Sequence, residues 1–421
     1  MTLQGKLIRI AYQCRPILTK LLPNKVLRDI KGKLIKNSLK QLNMYRRIPF
    51  QANIYPRGLN LIGSIRADTG LGQSCRLIAT QIENSGLPFT IYNYEQTSNL
   101  EQTDHSFDKK ITNTNPYQIN LLHINPRELG IALNQMGFSI LNGKYNIGFW
   151  LWELEEFPDE WCFYFKLLDE IWTPSEFISR TIRKKTTIPV ITIPYVVSVP
   201  FDSHIYRKDF GLPENTFLFL MAYDNSSIGE RKNPFGAIRA FQQAFSPKDR
   251  TVGLVIKALH LKQTELKQLK KKCREYENIY ILTKPMEKIR FNSLLHCCNA
   301  LLSLHRAEGF GLVLAEAMYL GKPVIATNWS ANTEFMDKET ACMIDYDLVT
   351  LEKNYGPFLK GQKWADPNIK QAATEMKKLK EQKDYYYTKG KLAQTSIKQL
   401  LSSERINKLI VNRVHQITSG G

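Results

Sequence analysis

Two carboxylates eight residues apart, Glu308 and Glu316, bracket the most suggestive stretch of the chain, Ser303-Leu-His-Arg-Ala-Glu-Gly-Phe-Gly-Leu-Val-Leu-Ala-Glu-Ala-Met-Tyr-Leu-Gly-Lys-Pro-Val-Ile-Ala-Thr327. The apolar run before it reads as a buried strand, and the chain then turns through Glu308-Gly-Phe-Gly311 into a helix starting at about Gly311. Gly309 and Gly311 let backbone amides approach a ligand closely. A helix start offers free N–H groups and a positive dipole end, which suits phosphate. Glu308 sits in the turn and Glu316 about two turns into the helix. Carboxylates so placed can hold the two ends of an elongated ligand with a central phosphate. Taken singly, Glu316 reads as a solvated helix acid and the glycines as a plain turn; strand, turn, helix and the cations Arg231 and Lys232 together read as a site.

The elements that would position these residues alternate strand and helix. Leu59–Ile62, Phe89–Tyr92, Ile119–His123, Asn146–Leu151 and Ile171–Pro174 read as strands of a first series, with helices from about Cys75, Asp159 and Ser175. Residues 188–213, with Pro189, Pro194, Pro200 and Pro213, read as a linker. Thr216–Met221, Val252–Ile256, Ile279–Ile281, Ala300–Ser303 and Pro323–Ala326 form a second series, with helices from about Asn233, Lys262, Phe291 and Gly311. Short apolar runs separated by helices predict parallel, doubly covered sheets. The fold class is therefore α/β, with two Rossmann-like doubly wound domains facing across a cleft. Ligands bind outside the carboxyl ends of such strands. The divisions are a basic leader over 1–55, a first domain over 56–200, a second over 201–385, and C-terminal helices over 386–421 that can pack back on the first domain. The tail from Trp364 reads as helical.

The sequence resembles the retaining glycosyltransferases of family 4 (group 1), which have the GT-B fold. The resemblance covers about residues 58–370 and rests on the E-x7-E pair Glu308 and Glu316, Gly321-Lys-Pro-Val-Ile325, Gly70-Leu-Gly72, Arg231-Lys-Asn-Pro234 and Trp172-Thr-Pro-Ser-Glu-Phe177. It implies a nucleotide-diphosphate sugar donor held mainly by the second domain. By that resemblance Glu316 holds the ribose hydroxyls and Glu308 contacts the transferred sugar. The amides of Phe310, Gly311 and Leu312 face the sugar and diphosphate, Lys232 neutralises the departing diphosphate, and Gly72 covers it. The family places an arginine a few residues before the lysine, where this chain has Asn225-Ser-Ser-Ile-Gly229. The second cationic contact then falls to Arg231, or to Lys257 at the end of the Val252–Ile256 strand, which also reads as a surface lysine. His123 matches a family histidine near the transferred sugar, and equally a structural strand-end histidine. Trp152 and Glu153, with Trp150 and Glu155, read as acceptor contacts or as a packed cluster beside a helix start. The resemblance implies retention of anomeric configuration, with a hexose moved to a glycan or lipid-linked acceptor in cell-surface polysaccharide or lipopolysaccharide synthesis. It implies no metal and no cofactor beyond the nucleotide sugar. The base pocket falls around Thr283–Met286.

Competing patterns are weaker. Asp345-Tyr-Asp347 fits a D-x-D metal motif of a different transferase fold and reads as a turn. Gly70-Leu-Gly72 mimics a dinucleotide fingerprint, but residues 64–69 separate it from its strand and Cys75 takes the sixth position. No P-loop, GxSxG or HExxH is present.

Composition sets the remaining bounds. The 421 residues are 43% hydrophobic and 23% charged, an ordinary globular balance. No apolar stretch reaches the roughly 20 residues that span a bilayer, and no signal-peptide pattern opens the chain. Seven scattered cysteines without a CxxC pair suit free thiols in a reducing cytosol. Of the net charge of +19, residues 1–50 supply +11 from 12 basic residues and one acid. The body lacks the basic stripe of a nucleic-acid binder, so no nucleic acid is expected. Residues 21–43 read as a basic amphipathic helix, suited to an anionic membrane surface or to packing on the body. The expected location is cytoplasmic, on the inner face of the cytoplasmic membrane if the leader binds it. The alternative is a membrane- or nucleic-acid-binding protein with an inactive transferase body.

Overall fold

Short runs of Leu, Ile, Val and Phe, each closed by a helix start, build two parallel sheets in the computed structural model, which describes residues 42–95 and 102–419 together with Val26. In the first domain β1 (Leu59–Gly63), α1 (Gly70–Asn84), β2 (Phe89–Asn93), β3 (Ile119–His123), α2 (Pro126–Met136), β4 (Tyr145–Phe149), β5 (Glu170–Thr173), α3 (Glu176–Arg183) and β6 (Val190–Thr192) follow in order. Their strands lie in the order β2-β1-β3-β4-β5-β6, all parallel. The second domain runs β7 (Phe217–Asp224), α4 (Gly229–Lys232), α5 (Pro234–Ala244), β8 (Val252–Leu259), α6 (Gln263–Cys273), β9 (Ile279–Leu282), α7 (Lys288–Cys297), β10 (Ala300–Ser303), α8 (Leu312–Tyr319), β11 (Val324–Thr327) and β12 (Cys342–Ile344). Its order is β12-β11-β10-β7-β8-β9, again parallel. An antiparallel hairpin, β13 (Tyr346–Thr350) and β14 (Lys363–Pro367), precedes α9 (Ile369–Glu381), α10 (Lys383–Leu400) and α11 (Ser403–Thr418).

Strand order reverses direction between β1 and β3 in one sheet and between β7 and β10 in the other. Such switch points leave a crevice at the carboxyl ends of the strands. At or just beyond those ends lie Gly70–Gly72, His123, Arg231–Lys232 and Glu308–Gly311.

The structure departs from the sequence reading in several places. Asp159–Leu167 is a 3-10 helix. Trp161, Tyr164 and Leu167 are buried at three-residue spacing, the period that stacks side chains on one face of that helix. The second series does not close at Ala326, because three-residue β12 adds an edge strand too short to carry a periodic signal. Tyr346 and Asp347 open β13 rather than forming a turn, and Trp364 lies in β14 rather than a helix. The segment read as a linker contains β6 and sends Tyr195, Val197, Val199, Phe210 and Leu212 into the core. The leader expectation for 21–43 falls outside the described residues apart from exposed Val26, Asn43 and Leu42, whose side chain is buried in the first domain. Among the described residues no helix is long and apolar enough to cross a membrane, and every cysteine is a free thiol.

The last helix returns to the first domain. Ile406, Ile410, Val414 and Ile417 form one buried stripe on α11, which packs on α1. Arg413 then clamps Glu170 of β5, whose other partners are Tyr145 Oη at 3.0 Å and Trp172 Nε1 at 2.6 Å. Glu170 is 0% exposed, and Arg413 is the cation that pairs with it. Removing one partner of a buried pair costs about 3 kcal/mol or more. Arg413→Ala is expected to lower stability by about that much in urea unfolding, and Glu170→Gln in the same background is expected to restore part of it. An unchanged midpoint for Arg413→Ala would contradict this account of the C-terminal anchor.

Candidate active site at the domain interface

The turn after β10 is laced to the turn after β7. The Arg306 amide donates to Arg231 O at 2.7 Å, and Arg231 Nη1 donates to Ala307 O at 2.7 Å. This brings Glu308 between two cations. Its Oε1 accepts from Lys232 Nζ, and its Oε2 lies 3.3 Å from Arg231 Nη1. Burial alone would raise the Glu308 carboxyl, but the Lys232 and Arg231 charges outweigh it and hold the group down at about 2. Arg231 also reaches Glu153 of the first domain at 3.9 Å. Arg231 is buried, and its side chain donates to two backbone carbonyls, Ser227 O and Ala307 O, so it supports the turn as well as charging it.

Gly311 takes a left-handed φ of 91° and caps α8. Leu314 and Ala315 N–H close onto Gly311 O. The amides of Phe310, Gly311 and Leu312 donate to no protein acceptor among the described residues. They form the open N-terminal donor set from which anion sites are made. Further along the helix, Glu316 is 3% exposed; its Oε1 accepts from Lys288 Nζ at 2.6 Å and its Oε2 has no partner. An unpartnered buried carboxylate oxygen is costly and is suited to ligand hydroxyls.

Lys257 is buried at the end of β8, with Nζ donating to Lys284 O at 2.8 Å. Burial pushes it down to about 8, partly offset by Asp224 and by Asp68 from the first-domain loop. That loop leads into the first turn of α1, where a Cβ at Gly72 would lie 2.1 Å from Ala67 O, so only glycine fits. Lys257 thus reaches the Thr283–Met286 stretch and stands opposite the glycine loop. Glu308, Lys232, Arg231 and Glu153 form one cluster, and Glu316 with Lys288 forms a second.

His123 ends β3 beneath this cluster of loops. Its Nε2 lies 2.7 Å from Ser74 Oγ, its ring stacks on Phe149, and Nδ1 has no partner. Ser74 is bonded in turn to Tyr195, whose ring meets Phe310 edge-on at 4.9 Å. Trp152 is a different case. Its ring is buried against Phe157, Trp161 and Phe358, and Nε1 is spent on Glu156 O at 2.9 Å. No face of it is left for an acceptor sugar; the packed-cluster reading holds for it. Glu153 keeps partial exposure beside Arg231.

Residues to which the sequence assigned no role in the site complete the arrangement. Ser330 Oγ accepts from the Glu308 amide at 2.8 Å, and Ser175 Oγ donates to Gly309 O at 2.7 Å. Glu334 of the second domain accepts from Glu176 N at 2.9 Å and Phe177 N at 2.6 Å, capping α3 of the first. Lys288, Ser74 and Tyr195 likewise carry no local motif; spacing of three to eight residues does not reveal partners 28 to 121 positions apart.

The family model described as Glycosyl transferases group 1 matches residues 202–343. Sucrose-phosphate synthase from Thermosynechococcus elongatus is 12% identical with a TM-score of 0.66, covering 87% of this chain and 100% of that one. HepE from Anabaena in complex with UDP-glucose is 13% identical with a TM-score of 0.62, covering 86% and 100%. A glycosyltransferase from Rickettsia africae is 12% identical with a TM-score of 0.62, covering 87% and 100%. The fold is GT-B. At these identities the likeness to the solved structures concerns the fold. No curated protein sequence matches the chain. The β13–β14 hairpin lies beyond the stretch that matches the GT-B transferase family model.

Burial pushes His123 down to about 4, so folded protein keeps it neutral. Unfolded protein takes up a proton near pH 6.5, so stability falls as pH drops from about 6.5 toward 4. Between pH 7.5 and 5 this amounts to about 2 kcal/mol. His123→Gln is expected to flatten the pH dependence of urea unfolding by about that amount, and identical slopes would refute the assignment.

Proposed function

We propose that this protein is a glycosyltransferase that moves a hexose from a nucleotide-diphosphate sugar to a glycan or lipid-linked acceptor, with retention of anomeric configuration. The observation that carries the reading is the buried pair Glu308 and Glu316 on either side of a glycine turn whose amides are free. The group 1 family match over 202–343 and the UDP-glucose complex of the similar HepE support it.

In this reading Glu316 Oε2 takes a ribose hydroxyl, and the amides of Phe310, Gly311 and Leu312 take diphosphate oxygens. Lys232 leaves Glu308 for the diphosphate, and Glu308, still ionised, accepts hydrogen bonds from hydroxyls of the sugar. Gly72 and Lys257 close on the diphosphate from opposite sides, and His123 faces the sugar. Glu153 lies on the acceptor side. The bond from the anomeric carbon to the diphosphate oxygen breaks, the acceptor oxygen bonds to that carbon, and the acceptor proton passes to the leaving phosphate on the same face. Negative charge grows on the diphosphate as the sugar gains oxocarbenium character, so fixed donors aimed at the diphosphate lower the barrier. No metal and no further cofactor enter. A role at the inner membrane face in cell-surface polysaccharide synthesis belongs to the same proposal.

UDP-, GDP-, ADP- and dTDP-sugars are to be screened by thermal shift. At least one is expected to stabilise the protein, and Glu316→Ala to weaken that nucleotide about tenfold or more. Lys232→Ala is expected to lower kcat about 100- to 1000-fold. Silence across all four, or an unchanged affinity in Glu316→Ala, would overturn the proposal.

A further inference from the structure

A cavity of about 360 Å³ opens in the first domain, lined by Tyr55, Tyr92, Asn113, Asn115, Ser139 and Lys144 among others. Its lining lies largely before β3 and β4, whereas His123 and Trp152–Glu153 lie at or just beyond the opposite ends of those strands. Lys144 is 4% exposed, yet no ion pair among the described residues involves it. One ammonium proton goes to Asn115 O, and Tyr55 offers its ring face 4.3 Å from Nζ. An ammonium has three donors, so a third remains beside the cavity that Lys144 lines. Asn115 Oδ1 is buried there with no partner. A buried cation without a counter-charge is costly. The cavity is large enough for about ten waters, and therefore for a small polar ligand.

We infer that this cavity binds a phosphate ester that also carries a hydroxyl, the phosphoryl oxygens on Lys144 Nζ and the hydroxyl donating to Asn115 Oδ1. Lysine binds phosphate as a point charge, and the two tyrosines supply apolar walls for the carbon skeleton. A free glycerol-phosphate-like ester and a glycerol phospholipid headgroup share this chemistry. Burial pushes Lys144 down to about 8, which makes its amine reactive enough to report on occupancy.

The full-length protein is to be labelled with trace acetic anhydride and the Lys144 peptide quantified by mass spectrometry. The probes are glycerol 1-phosphate, and phosphatidylcholine vesicles alone, with phosphatidylglycerol, or with the same charge as phosphatidylserine. Glycerol 1-phosphate is expected to slow Lys144 labelling at least threefold while exposed lysines are unaffected. Added protection by phosphatidylglycerol but not phosphatidylserine assigns the source as a lipid headgroup; protection by the soluble ester alone assigns a free ester. The thermal shift given by glycerol 1-phosphate is expected to vanish in Lys144→Gln and persist in Lys144→Arg. No protection by any probe, or equal protection by all vesicles and none by the ester, overturns the inference. Neither result bears on nucleotide-sugar binding, which is read separately.

Discussion

A carboxylate enclosed by two cations organises the site. Out of water, Glu308 has to be matched by charge, because an isolated buried carboxylate would neutralise itself or unfold its surroundings. The match comes from the segment after β7, which must therefore lie against the turn after β10. One backbone bond, Arg306 N–H to Arg231 O, and one side-chain bond, Arg231 Nη1 to Ala307 O, hold the segments in that register. The shape of the glycine turn and the freedom of its amides follow from this lacing. A turn held by its own amides would have none left to offer.

The same turn is part of the contact between domains. A Cβ at Gly309 would sit 2.7 Å from the Trp152 carbonyl, so a side chain there would force the domains apart. Ser175 holds the Gly309 carbonyl, and Glu334 caps α3 across the boundary. The hairpin loop adds Phe358 against Trp152, and Gln362 donating to Glu156 O at 3.1 Å. Trp152 thus contributes packing and a carbonyl edge to the site. Domain approach and turn geometry are one structural problem, since the residues that solve the first border the second.

Legibility from sequence followed the range of the interactions. Glu308, Gly311 and Glu316 are local: strand, turn and helix lie within one 25-residue window, and each element has its own periodic or turn signal. The parallel strands read well because both faces are buried, which makes them continuous apolar runs. Three-residue β12 and the β13–β14 hairpin gave too little pattern. The 3-10 run at Asp159–Leu167 looked helical because an aromatic-rich stretch carries period three and period 3.6 almost equally over nine residues. Lys288 was invisible as the partner of Glu316, as was Tyr195 beneath Phe310, because each pairing is made by the fold rather than by spacing. Trp152 was misleading in type: an aromatic at a strand end suits a sugar face, but here the ring fills the core.

The charges at the site also bear on where a proton can go under the proposed reaction. Glu308 is held at about 2 and His123 at about 4, both for reasons of environment. A general base works best with a pKa near the working pH, so neither side chain is poised to take a proton from an acceptor hydroxyl near neutrality. What both can do is fix geometry: one as a permanent acceptor for hydroxyls, the other as a neutral ring held in place by Ser74 and by stacking on Phe149. A phosphate oxygen with a second pKa near 6 is better matched to the proton than either. The electrostatics of these two residues therefore favour transfer to the leaving group, with the protein supplying position and charge.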